Sequence, residues 1–187
     1  MSKAVLFSIK PKYCELIASG KKTIEVRKTK PKLDTPFKCY IYCTHNGSSA
    51  KEKDRNLYTD FSGKVIGEFM CKCINEWHVD PQTKGYFITS EELTATCLTY
   101  EQLHEYGNGK TLYGWHISNL VIYDKPRKLR EFIRICPEWE KEETTEKCLE
   151  CEHLYRSPIE PFIECDYEGE LPITRPPQSW CYVEELK

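Results

Sequence analysis

The stretch GKKTIEVRKTKP, from Gly20 to Pro31, constrains the fold more than any other part of this 187-residue chain. Gly20 is placed to close a short helix, because glycine accepts the left-handed conformation that ends one. A strand then follows over Lys22–Val26. Side chains alternate along a strand, so Ile24 and Val26 point one way, and Thr23, Glu25 and Arg27 the other. Charges of both signs on one strand face, beside Lys21 and Lys22, suit either the wall of a polar pocket or a solvated sheet edge.

The flanking pattern reads as a mixed α+β chain. Val5–Ile9 is apolar enough for a buried strand. Pro11 suits the first turn of a helix, and Cys14, Ile17 and Ala18 fall at helical spacing. In Lys38–Thr44, Cys39, Ile41 and Cys43 alternate with Tyr40 and Tyr42. Val65–Ile74 reads as a longer strand, with Val65, Gly67, Phe69, Cys71 and Cys73 on one face. Residues 46–63 are a polar loop, and 75–89 are irregular. Ser90–Cys97 reads as a short helix. Thr99-Tyr-Glu-Gln is a capping box opening a second helix that Gly107 closes. Leu112–Ile117 and Leu120–Tyr123 read as strands, and Pro126–Phe132 as a turn. With a crossover helix only between the first two strands, a small mixed β-barrel is expected rather than a doubly wound sheet.

The formal net charge of −2 hides a polarity. Residues 1–136 carry a net +7 and residues 137–187 a net −9. A basic front suits a phosphate-rich partner, and an acidic tail suits a protein partner. The tail holds six of the eleven prolines and little periodicity. The expected division is therefore a domain over 1–135 and a loop-rich Cys/Pro-rich acidic extension over 136–187, packed on the barrel. No apolar run reaches the length of a membrane helix and no secretory segment is visible, so a cytoplasmic location with no membrane partner is expected.

Eleven cysteines without an export signal point to reduced thiols or metal ligands rather than a disulfide framework. Cys136, Cys148, Cys151 and Cys165 are spaced C-x11-C-x2-C-x13-C. The central C-x2-C lets two thiolates reach one zinc ion, and one structural zinc would supply folding energy that the tail lacks. Four reduced thiols are the alternative. Cys39, Cys43, Cys71 and Cys73 fall on inward strand faces and read as small core residues. No organic cofactor is indicated.

Ser8-Ile-Lys-Pro, Ile17, and G-K-K-T-I-E-V-R from Gly20 to Arg27 resemble the opening signature of ASCH domains, within the PUA-like superfamily. Gly63-Lys-Val-Ile-Gly-Glu and Tyr113-Gly-Trp-His-Ile-Ser-Asn-Leu are similar to later strands of that family. The resemblance covers residues 3–133. It implies a PUA-like β-barrel with flanking short helices and a cleft at the strand of Lys22, Glu25 and Arg27. The end, Arg175-Pro-Pro-Gln-Ser-Trp-Cys-Tyr, resembles phage or prophage members, which would make capture of a host factor a further role. Relatives bind RNA or modified bases, and some hydrolyse the acetyl amide of N4-acetylcytidine with a lysine, a threonine three positions on and a distant glutamate. Lys22 matches the lysine, whereas the threonine position falls on Glu25. Glu101 or Glu105 falls in the region of the distant glutamate.

Apart from any family, Lys22, Glu25 and Arg27 make a coherent set. Arg27 can fork onto a phosphate or a carboxylate, and Glu25 can accept from an exocyclic amine. Lys10 and Lys22 suit phosphate, Thr23 lies on the same strand face, and Tyr113 and Trp115 alternate on one face where they would stack a base. Recognition of RNA or of a modified nucleobase or nucleoside is the first expectation. A hydrolase acting on a modified nucleoside or RNA is the second, with Lys22 and Glu25 as base, nucleophile or acid. His116 reads as a structural histidine.

Overall fold

The computed structural model describes residues 2–45, 61–135 and 171–186, together with the backbone of 154–156 and 163–165. Its elements begin with β1 (Lys3–Ile9), α1 (Pro11–Ala18), β2 (Ile24–Arg27), β3 (Phe37–Cys43) and β4 (Lys64–Trp77). Then come α2 (Ser90–Thr96), α3 (Tyr100–Gly107), β5 (Leu112–Arg127) and a 3-10 turn at Leu129–Glu131. The last strands are β6 (Ile133–Arg134), β7 (Leu154–Arg156), β8 (Ile163–Cys165), β9 (Leu171–Pro172) and β10 (Trp180–Glu184). Eight of them form one sheet in the order β2-β5-β4-β3-β1-β10-β6-β9, while β7 and β8 make a separate hairpin.

Pairing is antiparallel throughout the large sheet except between β1 and β3. This is the mixed α+β architecture expected. The sheet curls until its edge strand β2 returns to β1 and β10. No ladder closes that seam, since β2 pairs only with β5. Side chains close it instead. Arg27 Nη2 donates to Ser8 O at 2.9 Å, Trp180 Nε1 to Thr29 Oγ1 at 3.0 Å, and the Lys32 N–H to the Tyr182 hydroxyl at 2.8 Å.

The barrel interior is filled by Val5, Phe7, Ile9, Cys14, Ile17, Cys39, Ile41, Phe69 and Trp115, all buried. Alternation along β3 holds: Tyr40 and Tyr42 leave that interior for a second cluster with Leu6, Val65, Phe132 and Val183. Alternation along β4 breaks. Val65 joins Tyr40 and Tyr42, while Ile66, Phe69 and Cys71 lie inside. The reason is a bulge: the register slips opposite Ile41 and Tyr42, and a one-residue slip sends side chains to the other face. Cys73 is half-buried rather than core.

Both helices beyond β4 carry capping boxes, Thr89 with Glu92 and Thr99 with Gln102. The two strands expected over 112–123 are one strand, kept continuous through a left-handed Asn119. Gly20 has φ +71°, and its N–H donates to Ile17 O, as a helix-closing glycine should.

The largest departure from the sequence reading is in the tail. β10 lies between β1 and β6, so residues 171–186 are woven into the main sheet. Burial of Cys181 and Val183 between half-buried Trp180, Tyr182 and Glu184 supplies the driving force. Cys136, Cys148 and Cys151 lie outside the described residues; Cys165 ends β8, where its backbone pairs opposite Leu154. Among the described residues no helix is long and apolar enough to cross a membrane.

Candidate functional site

β2 divides its side chains as its alternation predicts. Ile24 and Val26 are buried with Trp77, Tyr86, Leu103 and Leu112 under α2 and α3. Glu25 and Arg27 take the other face, opposite Trp115 and Tyr113 of β5. Lys22 precedes the strand and is fixed through its backbone, whose N–H donates to Leu16 O at the end of α1.

The three charged side chains meet. Lys22 Nζ lies 3.3 Å from Glu25 Oε2, and Arg27 Nη2 lies 3.0 Å from Glu25 Oε1. All three residues are more than nine-tenths buried. Lys22 Nζ also donates to Ile24 O at 2.8 Å and to Thr96 O, at the end of α2, at 2.7 Å. Two carbonyls and a carboxylate therefore surround the amine, and a helix C-terminus favours a cation. Arg27 spans the seam: Nη2 reaches Ser8 O, Nη1 lies 3.4 Å from Ser179 Oγ, and the guanidinium sits 4.9 Å from the Phe7 ring centroid.

A cavity of about 740 Å³ opens over this triad, along the seam. Its walls come from the end of β1, the start of α1, the outer end of α3 and the segment before β10. Lys10, Lys22, Arg27 and Lys28 outnumber Glu25 and Glu105 among its charges, so it favours an anion. Tyr13 and Tyr106 add aromatic surface. Burial pushes both phenols up, with Glu25 adding to the effect and Arg27 opposing it at Tyr106, so both remain O–H donors at neutral pH.

Lys10, Lys22, Glu25 and Arg27 thus share one cavity. Three other residues do not join them. Thr23 is exposed and its backbone N–H is bound to Ala95 O, away from the cavity lining. Tyr113 lies outside the lining, where its hydroxyl meets Glu76 and Lys30 sits over its ring. Trp115 is fully buried between Phe7, Phe37 and Trp180, so it is core and offers no face to a base. Its place on the inward face, directly opposite Glu25 but beneath the cavity floor, is the reason. Glu105 of α3 reaches the cavity and Glu101 does not. Burial lowers the His116 imidazole below its ordinary value, in keeping with a neutral structural histidine. Tyr13 and Tyr106 carried no signal of their own, and Ser8 and residues 176–179 stood out only within the family-like stretches: each becomes a wall only when the sheet curls.

Among the described residues no group of His, Cys, Asp or Glu is arranged to hold a metal ion. No curated protein matches the chain. Among solved structures, ASCH from Zymomonas mobilis is similar at 21% identity, covering 67% of this chain and 73% of its own, with a TM-score of 0.49. A serine-to-alanine variant of that protein gives 21%, 67%, 74% and 0.49. The family model for the ASCH domain matches residues 7–158, and on that match the chain belongs to the ASCH domain family.

Proposed function

We propose that the seam cavity binds RNA through a single nucleotide, or a modified nucleobase. The observation that carries this reading is the buried Lys22–Glu25–Arg27 chain on the floor of a cationic cavity of about 740 Å³, within the size range of small-molecule sites. ASCH domains are nucleic-acid-associated, which agrees in kind. Lys10 and Lys28, exposed at the rim, would meet phosphate. Tyr106 and Tyr13, both in the lining, would offer ring surface to a base. Glu25 keeps lone pairs beyond its two ion pairs and would accept from a base amine.

Binding is favoured over amide hydrolysis by the residue at position 25 and by the contacts that already occupy Lys22. Glutamate stands at position 25, where the hydrolysing relatives carry threonine, and Lys22 Nζ is already tied to two main-chain carbonyls and the Glu25 carboxylate. Titration of short single-stranded RNAs and of N4-acetylcytidine at low salt should show binding, weakened about tenfold or more by Arg27→Ala, without release of acetate. Absence of affinity at low salt would overturn the reading. Acetate release abolished by Lys22→Ala would replace it with the hydrolase.

A further inference from the structure

The cavity wall formed by residues 176–179 lies beyond the family-matched segment, which ends at residue 158. Its main chain is tied to a serine of β1. Ser8 Oγ donates to Pro177 O at 2.6 Å, and the Ser8 N–H donates to Ser179 O at 3.0 Å. The carbonyls on both sides of Gln178 are therefore tied to one residue. Ser179 Oγ also stands beside Arg27, so the wall is registered to the cavity floor. Gln178 itself is exposed, lines the cavity, and makes no hydrogen bond to the described residues.

A side chain set on the cavity wall by tethered neighbours, and whose amide is left unused by the fold, is free to serve something outside the chain. We infer that Gln178 reads the base edge and sets which nucleotide the cavity accepts. A carboxamide presents one acceptor and one donor group side by side. The matching base feature is an adjacent donor and acceptor, and the N6/N7 edge of adenine is the pairing that glutamine makes best. The flanking Pro176 and Pro177 restrict the backbone further. Glu25 on the floor accepts only, so the two residues ask different things of a base: Glu25 requires an N–H, and Gln178 requires both partners in sequence.

This inference rests on the nucleotide-binding reading above, and the experiment separates the two. The intact 187-residue chain is titrated at low salt with hexamers of adenylate, cytidylate and uridylate. The wild type should prefer adenylate by about tenfold, a usual return for one bidentate base contact. Gln178→Ala should bring the three affinities within about twofold of one another by weakening adenylate alone. Gln178→Glu, which keeps the shape and loses the donor, should level the three affinities likewise, together with a uniform loss from repulsion between the new carboxylate and phosphate. Thermal midpoints should be unchanged in both variants, since the fold makes no use of this amide. A wild type without base preference, or a preference that both variants retain, overturns the role of Gln178 and leaves nucleotide binding standing. Failure of the wild type to bind any hexamer overturns both.

Discussion

β2 and β10 flank the same cleft and are held in opposite ways. β10 has ladder partners on both sides, β1 and β6. β2 has β5 on one side and, across the seam, only side chains. A strand edge without a ladder must be covered or blunted, or it invites pairing with another chain. Here the cover is charge: Glu25 and Arg27 turn from the edge into the cleft, where they bind each other, Lys22 and Ser8. The closed side of the barrel stabilises by main-chain pairing and apolar burial. The open side stabilises by ion pairs, and those ion pairs are what a ligand would meet.

Substitutions on the two strands should separate these modes. The largest effect is expected from Glu25→Ala, which leaves two buried cations without their counter-charge. It should cost about 3–5 kcal/mol by urea denaturation, as breaking a buried ion pair does; a loss under about 1 kcal/mol would mean that the seam is held by other means. Val183→Ala in β10 removes two buried methyl groups and should cost about 2 kcal/mol, with no change in RNA affinity. Ser8→Ala is expected to cost about 1 kcal/mol, the usual worth of one hydrogen bond, and to weaken adenylate binding by freeing Pro177.

The smallest effect concerns pH. The Ser2 hydroxyl and Lys38 hold the Glu185 carboxyl below its ordinary value at the end of β10. A depressed carboxylate contributes stability above its unfolded value and loses it as pH falls through the folded one. Thermal midpoints should therefore fall between about pH 5 and pH 3, less steeply in Glu185→Gln. The group is one-third exposed, so the difference should be slight; equal slopes would mean that the contacts of Glu185 with Ser2 and Lys38 add nothing to stability.

The polar face of β2 was legible in the sequence because strand alternation is local. So were the cap at Thr99 and the closure by Gly20, each set within four residues. The alternation Cys181, Val183 against Trp180, Tyr182 was equally present, but the prolines before it drew the tail toward an irregular appendage. Trp115 shows the opposite limit. Its strand face was read correctly, yet which side of that face meets solvent depends on the curl of eight strands. Tyr106 and Gln178 belong to the same class, since they reach the cleft from segments far apart in the chain. The bulge in β4 left no local mark, because it is a property of the pair β3–β4 rather than of either strand.

The grip of Lys22 on the last turn of α2 makes one amine serve both architecture and charge balance. The same side chain that docks α2 also pairs with one carboxylate oxygen of Glu25. Lifting that helix by even a fraction of an ångström would unbalance the cleft electrically before it changed the outline of its walls. Substitution of Thr96, which does not itself line the cleft, should therefore alter which ligand charge the cleft tolerates, read as a changed preference between anionic and neutral ligands in titration.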